Sequence, residues 1–228
     1  MPGVAHHVTQ RGNNKQQVFL SDADFRLYRH LLATHAPKSG VSVLGYCLMP
    51  NRVHLVVVPE SEESLARALG RTHGEYAAAV NAASTRSGHL WQNRFFSCLM
   101  DEGHSLRALL YIDLNPVRAG LAESAWDWPW SSARAHALDD AADSVLDSGW
   151  RDAFAGWDRD EWRELLGEGD VEFSDTLRRS TQTGEPLGAC HFVEELERRC
   201  GRTLRVGSRG RPRKRRRSEE DQGMLVGL

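Results

Sequence analysis

Tyr111 and Asn115 stand four residues apart in "YIDLNPVRAG", a spacing that puts both side chains on one face of a helix. A phenol with a pKa near ~10 attacks phosphorus poorly at neutral pH. It needs a cation beside it, to polarise the phosphate and to stabilise the charge that develops. Upstream, "MPNRVHLVVVP" carries Arg52 and His54, which share one face of a strand at its period of two. A strand that handles metal or phosphate would more naturally read His-Val-His, so Arg52 decides whether the chemistry is complete. The structural alternative is a half-buried Tyr111 and an Asn115 that ends its helix before Pro116.

These side chains need a sheet and a helix packed on it, and the first 120 residues carry the signals of both. "AHHVTQRG" reads as a short strand, and either His6 or His7 must share the face of Arg52 if the two strands are neighbours. Ser21 opens a helix with Asp24 as its capping-box partner, and Phe25, Tyr28, Leu31 and Leu32 mark the apolar face. "VSVLGYCL" and "RVHLVVV" are strands joined by a turn at Met49-Pro50-Asn51, which makes a hairpin. Ser61 caps a second helix bearing Leu65, Leu69, Tyr76 and Val80. "RFFSCLM" (94–100) is a fourth strand, and a further helix runs from Glu102 to the break at Pro116.

That order predicts an α+β chain of the ferredoxin-like split βαβ type, with an antiparallel sheet. Residues 145–200 carry short amphipathic segments, with Val193, Leu196 and Cys200 on one face. The predicted organisation is a first domain over 1–135, a small helical C-terminal extension over 136–204, and a basic disordered tail over 205–228.

A hydrophobic fraction of 40% and a charged fraction of 26% are those of a soluble globular protein. No apolar run reaches the roughly 18 residues that cross a bilayer, and the first residues lack the apolar core of a secretory signal. A cytoplasmic protein without membrane contact is expected. Cys47, Cys98, Cys190 and Cys200 are scattered, which predicts reduced, buried thiols rather than a zinc cluster or disulfides.

The net charge of −2 hides a segregation: residues 139–175 hold thirteen acids and three arginines, while residues 198–217 hold eleven basic residues and no acid. The acidic run reads as a solvated helical face or as a partner that folds back on the tail. In the tail, "RGRPRKRRR", with Arg211, Arg213 and Lys214, contains the Gly-Arg-Pro core of an AT-hook. Salt-sensitive attraction to nucleic-acid phosphate follows from its charge. Trp91, Phe95 and Phe96, interleaved with Gln92 and Arg94, suit an unstacked base beside a phosphate, where stacking contributes ~1–3 kcal/mol per base. Strand alternation sends at least one of Phe95 and Phe96 into the core instead, and Trp91 can follow it. Arg11, Asn13, Asn14 and Lys15, in the turn after the first strand, are placed for backbone contacts.

"YCLMPNRVHLVVVP", "GHLWQNRFFS" and "YIDLNPVRAGL", in this order and after an opening "HHVTQRGNN", resemble the HUH single-tyrosine, insertion-sequence-200-like transposases, in their REP-associated branch. The resemblance covers roughly residues 1 to 135, and "TGEPLGACHFVEELERRCGRTL" is similar to a C-terminal extension found in one branch. It implies a ferredoxin-like fold and a helix-borne tyrosine that attacks a single-stranded DNA phosphodiester, forming a 5′-phosphotyrosine and freeing a 3′-hydroxyl. It also implies Mg²⁺ or Mn²⁺, held by the two histidines of the motif and a polar residue one turn after the tyrosine. Carried over by position, Tyr111 is the nucleophile, His54 and Asn115 are metal ligands, and Arg52 occupies the place of the first histidine.

A guanidinium has no lone pair to give a metal. At an effective dielectric of ~20 it repels a divalent ion ~4 Å away by about 8 kcal/mol. The Mg²⁺ or Mn²⁺ site is therefore expected to be weakened, with His6 or His7 as substitute ligands, or else Arg52 grips the phosphate itself through bidentate bonds. The resemblance implies nicking and joining of single-stranded hairpin DNA, impaired by Arg52. The alternative is a domesticated, catalytically inactive protein that recognises hairpin DNA. A plain RNA-binding module of this fold would leave Tyr111 and Asn115 without a reason. By resemblance the chain leans towards a monomer rather than a homodimer, associated with the nucleoid when on DNA.

Overall fold

Pro50 and Asn51 separate two runs of strand-forming residues, and the chain reverses there. In the computed structural model, which describes residues 1–84, 87–138, 143–154, 158–168 and 171–204, β2 (Val41–Met49) and β3 (Arg52–Pro59) form this hairpin, with Met49 opposite Arg52. β1 (Ala5–Arg11) lies antiparallel between β3 and β4 (Phe96–Met100). The sheet order is β2-β3-β1-β4, and with α1 (Asp22–Lys38) and α2 (Ser64–Ala83) it gives the expected ferredoxin-like α+β arrangement. Arg211, Arg213 and Lys214, the tail and part of the acidic run lie outside the described residues.

Alternation along the strands gives the sheet two apolar faces. Val8, Val53, Leu55 and Val57 pack with Phe25, Tyr28 and Leu32 of α1 and with Leu69 and Tyr76 of α2. Cys47, Met49, Val56, Cys98 and Met100 face the other way, against α3 (Glu102–Asp113). After α3 come α4 (Asn115–Arg118), α5 (Ala133–Leu138), α6 (Arg159–Glu168), α7 (Val171–Thr183) and α8 (Cys190–Cys200). Trp162 and Leu166 of α6 and Phe173 and Leu177 of α7 are buried in the same core as α3. The segment after residue 135 thus covers the tyrosine-bearing side of the sheet.

Two devices hold α3 in place. The ladder shifts register between Val43 and Gly45, and a Cβ on Gly45 would lie 2.5 Å from Leu109 Cδ2, so only glycine lets α3 approach β2 this closely. Asp113, fully buried, accepts from His136 Nδ1 at 2.7 Å, Trp162 Nε1 at 3.3 Å and Ser132 Oγ at 3.3 Å. This carboxylate ties the end of α3 to α5 and α6.

Several boundaries differ from the sequence reading. α1 has its capping box, with Asp24 Oδ2 accepting from Ser21 N–H at 2.9 Å. α2, however, begins at Ser64 rather than after Ser61: Ser61 and Ser64 sit in a local turn, with Ser61 N–H donating to Ser64 Oγ at 3.0 Å, and Glu63 precedes the helix without a side-chain cap bond. β4 begins at Phe96 instead of Arg94; the carbonyl of Asn93 is bound by Gln10 Nε2 at 2.8 Å. α3 stops at Asp113, and Asn115 opens α4, since Pro116 has no N–H to continue the ladder. Cys47 and Cys98 are buried as expected, but Cys190 and Cys200 are exposed. Among the described residues no helix is long and apolar enough to cross a membrane.

Candidate active site

The period of two on neighbouring antiparallel strands builds the floor of one cleft. Thr9 of β1 pairs with His54 of β3, and Arg11 pairs with Arg52; directly opposed residues share a face. His7 lies on this face, whereas His6 takes the other and bonds near the N-terminus. Tyr111 descends from α3, 3% exposed. Arg178 and Thr181, three apart on α7, reach in from the side. Together with Gln92 and Phe96 they line a cleft of about 410 Å³, and no carboxylate is among its described lining residues.

Cations surround the tyrosine. Arg178 Nε donates to Tyr111 Oη at 3.2 Å. The Arg118 guanidinium lies 4.4 Å from the centre of the Tyr111 ring and donates both to the Tyr111 carbonyl and to Asn115 Oδ1, the latter at 3.1 Å. Arg52 Nε is held by Asn51 Oδ1 at 3.2 Å, and Arg11 Nε is buried with no hydrogen-bond partner. Like charges directly opposed on a sheet destabilise it. Burial first, and Arg11 second, push the Arg52 pKa down from its ordinary value.

A hydrogen-bond chain from α7 sets the state of the two histidines. Thr181 Oγ1 donates to the Leu177 carbonyl at 2.7 Å, so at 2.6 Å His7 Nδ1 must donate to Thr181. His7 Nε2 is then an acceptor and takes the proton of His54 Nδ1 at 3.2 Å. This assignment leaves His54 Nε2 with a bare lone pair, buried and without a hydrogen-bond partner. Desolvation pushes the His7 pKa down to about 3 and that of His54 well below the usual value, so both rings are neutral near pH 7.

These residues do not fit a divalent ion. His54 supplies one lone pair. Asn115 Oδ1 keeps a second lone pair but is held against the Arg118 guanidinium, both nitrogens of His7 are engaged, and His6 is on the opposite face. Neither His6 nor His7 can stand in for the missing ligand. Among the described residues no three His, Cys, Asp or Glu side chains cluster to hold a metal, and guanidinium groups surround the one free imidazole nitrogen.

The profile of the family described as Transposase IS200 like matches residues 2–115, half of the chain. The chain belongs to this family. A Haemophilus influenzae protein named for the REP-associated tyrosine transposases is 28% identical over 120 residues, which are 48% of this chain and 66% of that protein. The chain thus spans just under two thirds of that relative's length. A solved REP-associated tyrosine transposase bound to a REP hairpin shares the fold, with a TM-score of 0.53 and 18% identity over 64% of this chain and 90% of that one.

Among IS200-like transposases the helix-borne tyrosine and the motif strand are what the sequence anticipates, and Tyr111, Arg52 and His54 do meet in one cleft. Arg11 and Gln92 join them, while Asn14, Lys15 and Arg94 are exposed nearby in sequence and Asn13 is half-buried. Asn14 and Lys15 both have positive φ, 49° and 63°. Their turn is fixed at Gly12, whose Cβ would lie 2.3 Å from the Gln16 carbonyl oxygen. Trp91 is packed on the core, tilted against His73 with ring centres 4.9 Å apart, and its Nε1 donates to the His73 carbonyl at 3.1 Å. Phe96, 39% exposed, is the aromatic that the cleft presents. Arg118, Arg178 and Thr181 escape a sequence reading. For Arg178 and Thr181 the one signal is their spacing with Gln182 along α7; Arg118, on α4, has none.

Proposed function

We propose that this chain nicks and rejoins single-stranded hairpin DNA through Tyr111. Residues 1–135 would form the catalytic unit, and residues 136–204 the extension that closes over it. The observation that carries this reading is the Arg178 to Tyr111 bond in an arginine-lined cleft with no carboxylate among its described lining residues. The phenol oxygen attacks phosphorus as its proton leaves. The new O–P bond makes a 5′-phosphotyrosine, the bond from phosphorus to the 3′ oxygen breaks, and that oxygen takes up a proton. The Arg178 guanidinium stabilises the phenolate as it forms, and His54 Nε2 is the acceptor that faces the cleft. Rejoining runs the same steps in reverse.

Arg11, Asn13, Asn14, Lys15, Gln92 and Arg94 would track the strand, with Phe96 under a base and the rim of Trp91 beside it. Arg211, Arg213 and Lys214 would add salt-dependent attraction from the tail. α3 packs on the sheet of its own chain, which supports a monomer that completes its own site. Action in the cytoplasm, at the nucleoid when on DNA, follows from this reading.

The test is a hairpin oligonucleotide from the flanks of the gene, labelled at either end. A covalent adduct carrying the strand 3′ of the cut, linked through its 5′ phosphate and lost in Tyr111→Phe, is expected. A second reading, a hairpin binder that does not cut, is favoured by the deep burial of Tyr111 and by Arg52 in the motif. Tight binding with no adduct, and Mn²⁺-dependent cleavage restored by Arg52→His, would establish it in place of the first.

A further inference from the structure

The arginines of the cleft form a site with a cationic excess and no carboxylate among its described lining residues. Arg11 and Arg52 are directly opposed on neighbouring strands, and Arg178 enters from α7 to line the same space. Asp175 meets Arg178 at 2.9 Å, but it is exposed and does not line the cleft. Nothing among the described residues neutralises Arg11 or Arg52. Like charges directly opposed on a sheet destabilise it, and with Arg11 and Arg52 half-buried and Arg178 exposed an anion from solvent can reach all three and offset that repulsion. Arginine is suited to that anion, because its planar fork matches two oxygens of a phosphate group.

We infer that Arg52 and Arg178, assisted by Arg11, hold a tetrahedral oxyanion, the phosphodiester of the substrate, where the family resemblance implies a divalent metal ion. The inference rests on the reading that this cleft handles DNA. It goes beyond it by making the C-terminal extension part of the phosphate site and by making that site metal-free. Arg178 would then bridge the nucleophile and its target, with Nε on Tyr111 Oη, Nη1 on Asp175 and Nη2 towards the phosphate.

The test follows the arginine Nε–H resonances of the ¹⁵N-labelled chain during titration with inorganic phosphate in the presence of EDTA, with chloride at matched ionic strength as control. The resonances of Arg52 and Arg178 should move saturably with phosphate alone, and Arg52→Gln or Arg178→Gln should weaken phosphate binding at least ten-fold. Arg52→Lys and Arg178→Lys, which keep the charge and the fold, should weaken it less. Absence of saturable shifts overturns the inference. So does stoichiometric loss of the free Mn²⁺ paramagnetic resonance signal on adding the wild-type chain, if His54→Ala abolishes that loss. Phosphate binding without hairpin binding would sustain the anion site and defeat the DNA reading. Hairpin binding indifferent to Arg52 and Arg178 would do the reverse.

Discussion

Arg178 Nε and Tyr111 Oη meet at 3.2 Å although 67 residues separate them. The bond joins α7 to the tyrosine of α3 that is proposed as the nucleophile. On the proposed mechanism, α7 then takes part in the chemistry as well as in the packing. A charge-assisted hydrogen bond of this kind contributes about 1.5–3 kcal/mol. If it forms fully only on the phenolate, Arg178→Ala should slow adduct formation by roughly 10–100-fold. Single-turnover rates at saturating hairpin would show the loss in the rate itself. A change confined to affinity would place Arg178 in binding alone.

Thr181 acts one step further away. Its hydroxyl fixes the His7 tautomer, and His7 fixes that of His54. Thr181→Val keeps the shape and removes the relay. We expect about a ten-fold slower cleavage, the scale of losses on removing an outer partner of a working histidine, with hairpin affinity unchanged. The ¹⁵N shifts of the His54 ring should show mixed tautomers in the variant and a single Nδ1–H form in the wild type.

Gly45 and Gly70 make a matched pair for stability. A Cβ on Gly45 would lie 2.5 Å from Leu109 Cδ2, while one on Gly70 would meet nothing within 4 Å. Gly45→Ala should cost about 1–3 kcal/mol through overpacking and should shift α3 with its tyrosine. Gly70→Ala, inside α2, should be stabilising by ~0.4–1 kcal/mol. Urea unfolding of the two variants reads both signs.

Acid should destabilise the chain well before its carboxylates titrate. Burial pushes the pKa values of His7 and His73 down to about 3, whereas unfolded histidine titrates near ~6.5. Between these values the unfolded chain binds more protons, so stability is full above the upper value and falls as pH drops. The limiting slope is about 1.4 kcal/mol per pH unit for each histidine. Urea midpoints should fall steadily from pH 6.5 to pH 4.5, and a flat profile there would contradict the neutral, buried state of these rings.

What the sequence revealed and what it concealed have a common physical cause. The hairpin at Pro50 and Asn51, the cap at Ser21 and the shared face of Arg52 and His54 depend on neighbours within a few residues, so local rules reach them. Even there, the helix expected after Ser61 begins at Ser64, behind a turn in which the Ser61 hydroxyl is spent on that of Ser64 at 2.9 Å. The partners of Tyr111 and His7 on α7 depend on how a helix far along the chain docks, and no local periodicity encodes that. Trp91 was ambiguous for the same reason: only packing against His73 and Tyr76 decides that the indole belongs to the core.

The central claim is phosphoryl transfer by Tyr111 on an arginine-held phosphate, and the chelator dependence of the covalent adduct tests it most directly. A 5′- and 3′-labelled hairpin would be incubated with the wild-type chain in EDTA and, in parallel, in Mn²⁺. Transfer without a metal predicts the same 5′-linked adduct at comparable rates in both. An adduct that forms only with Mn²⁺, or in neither, would contradict it.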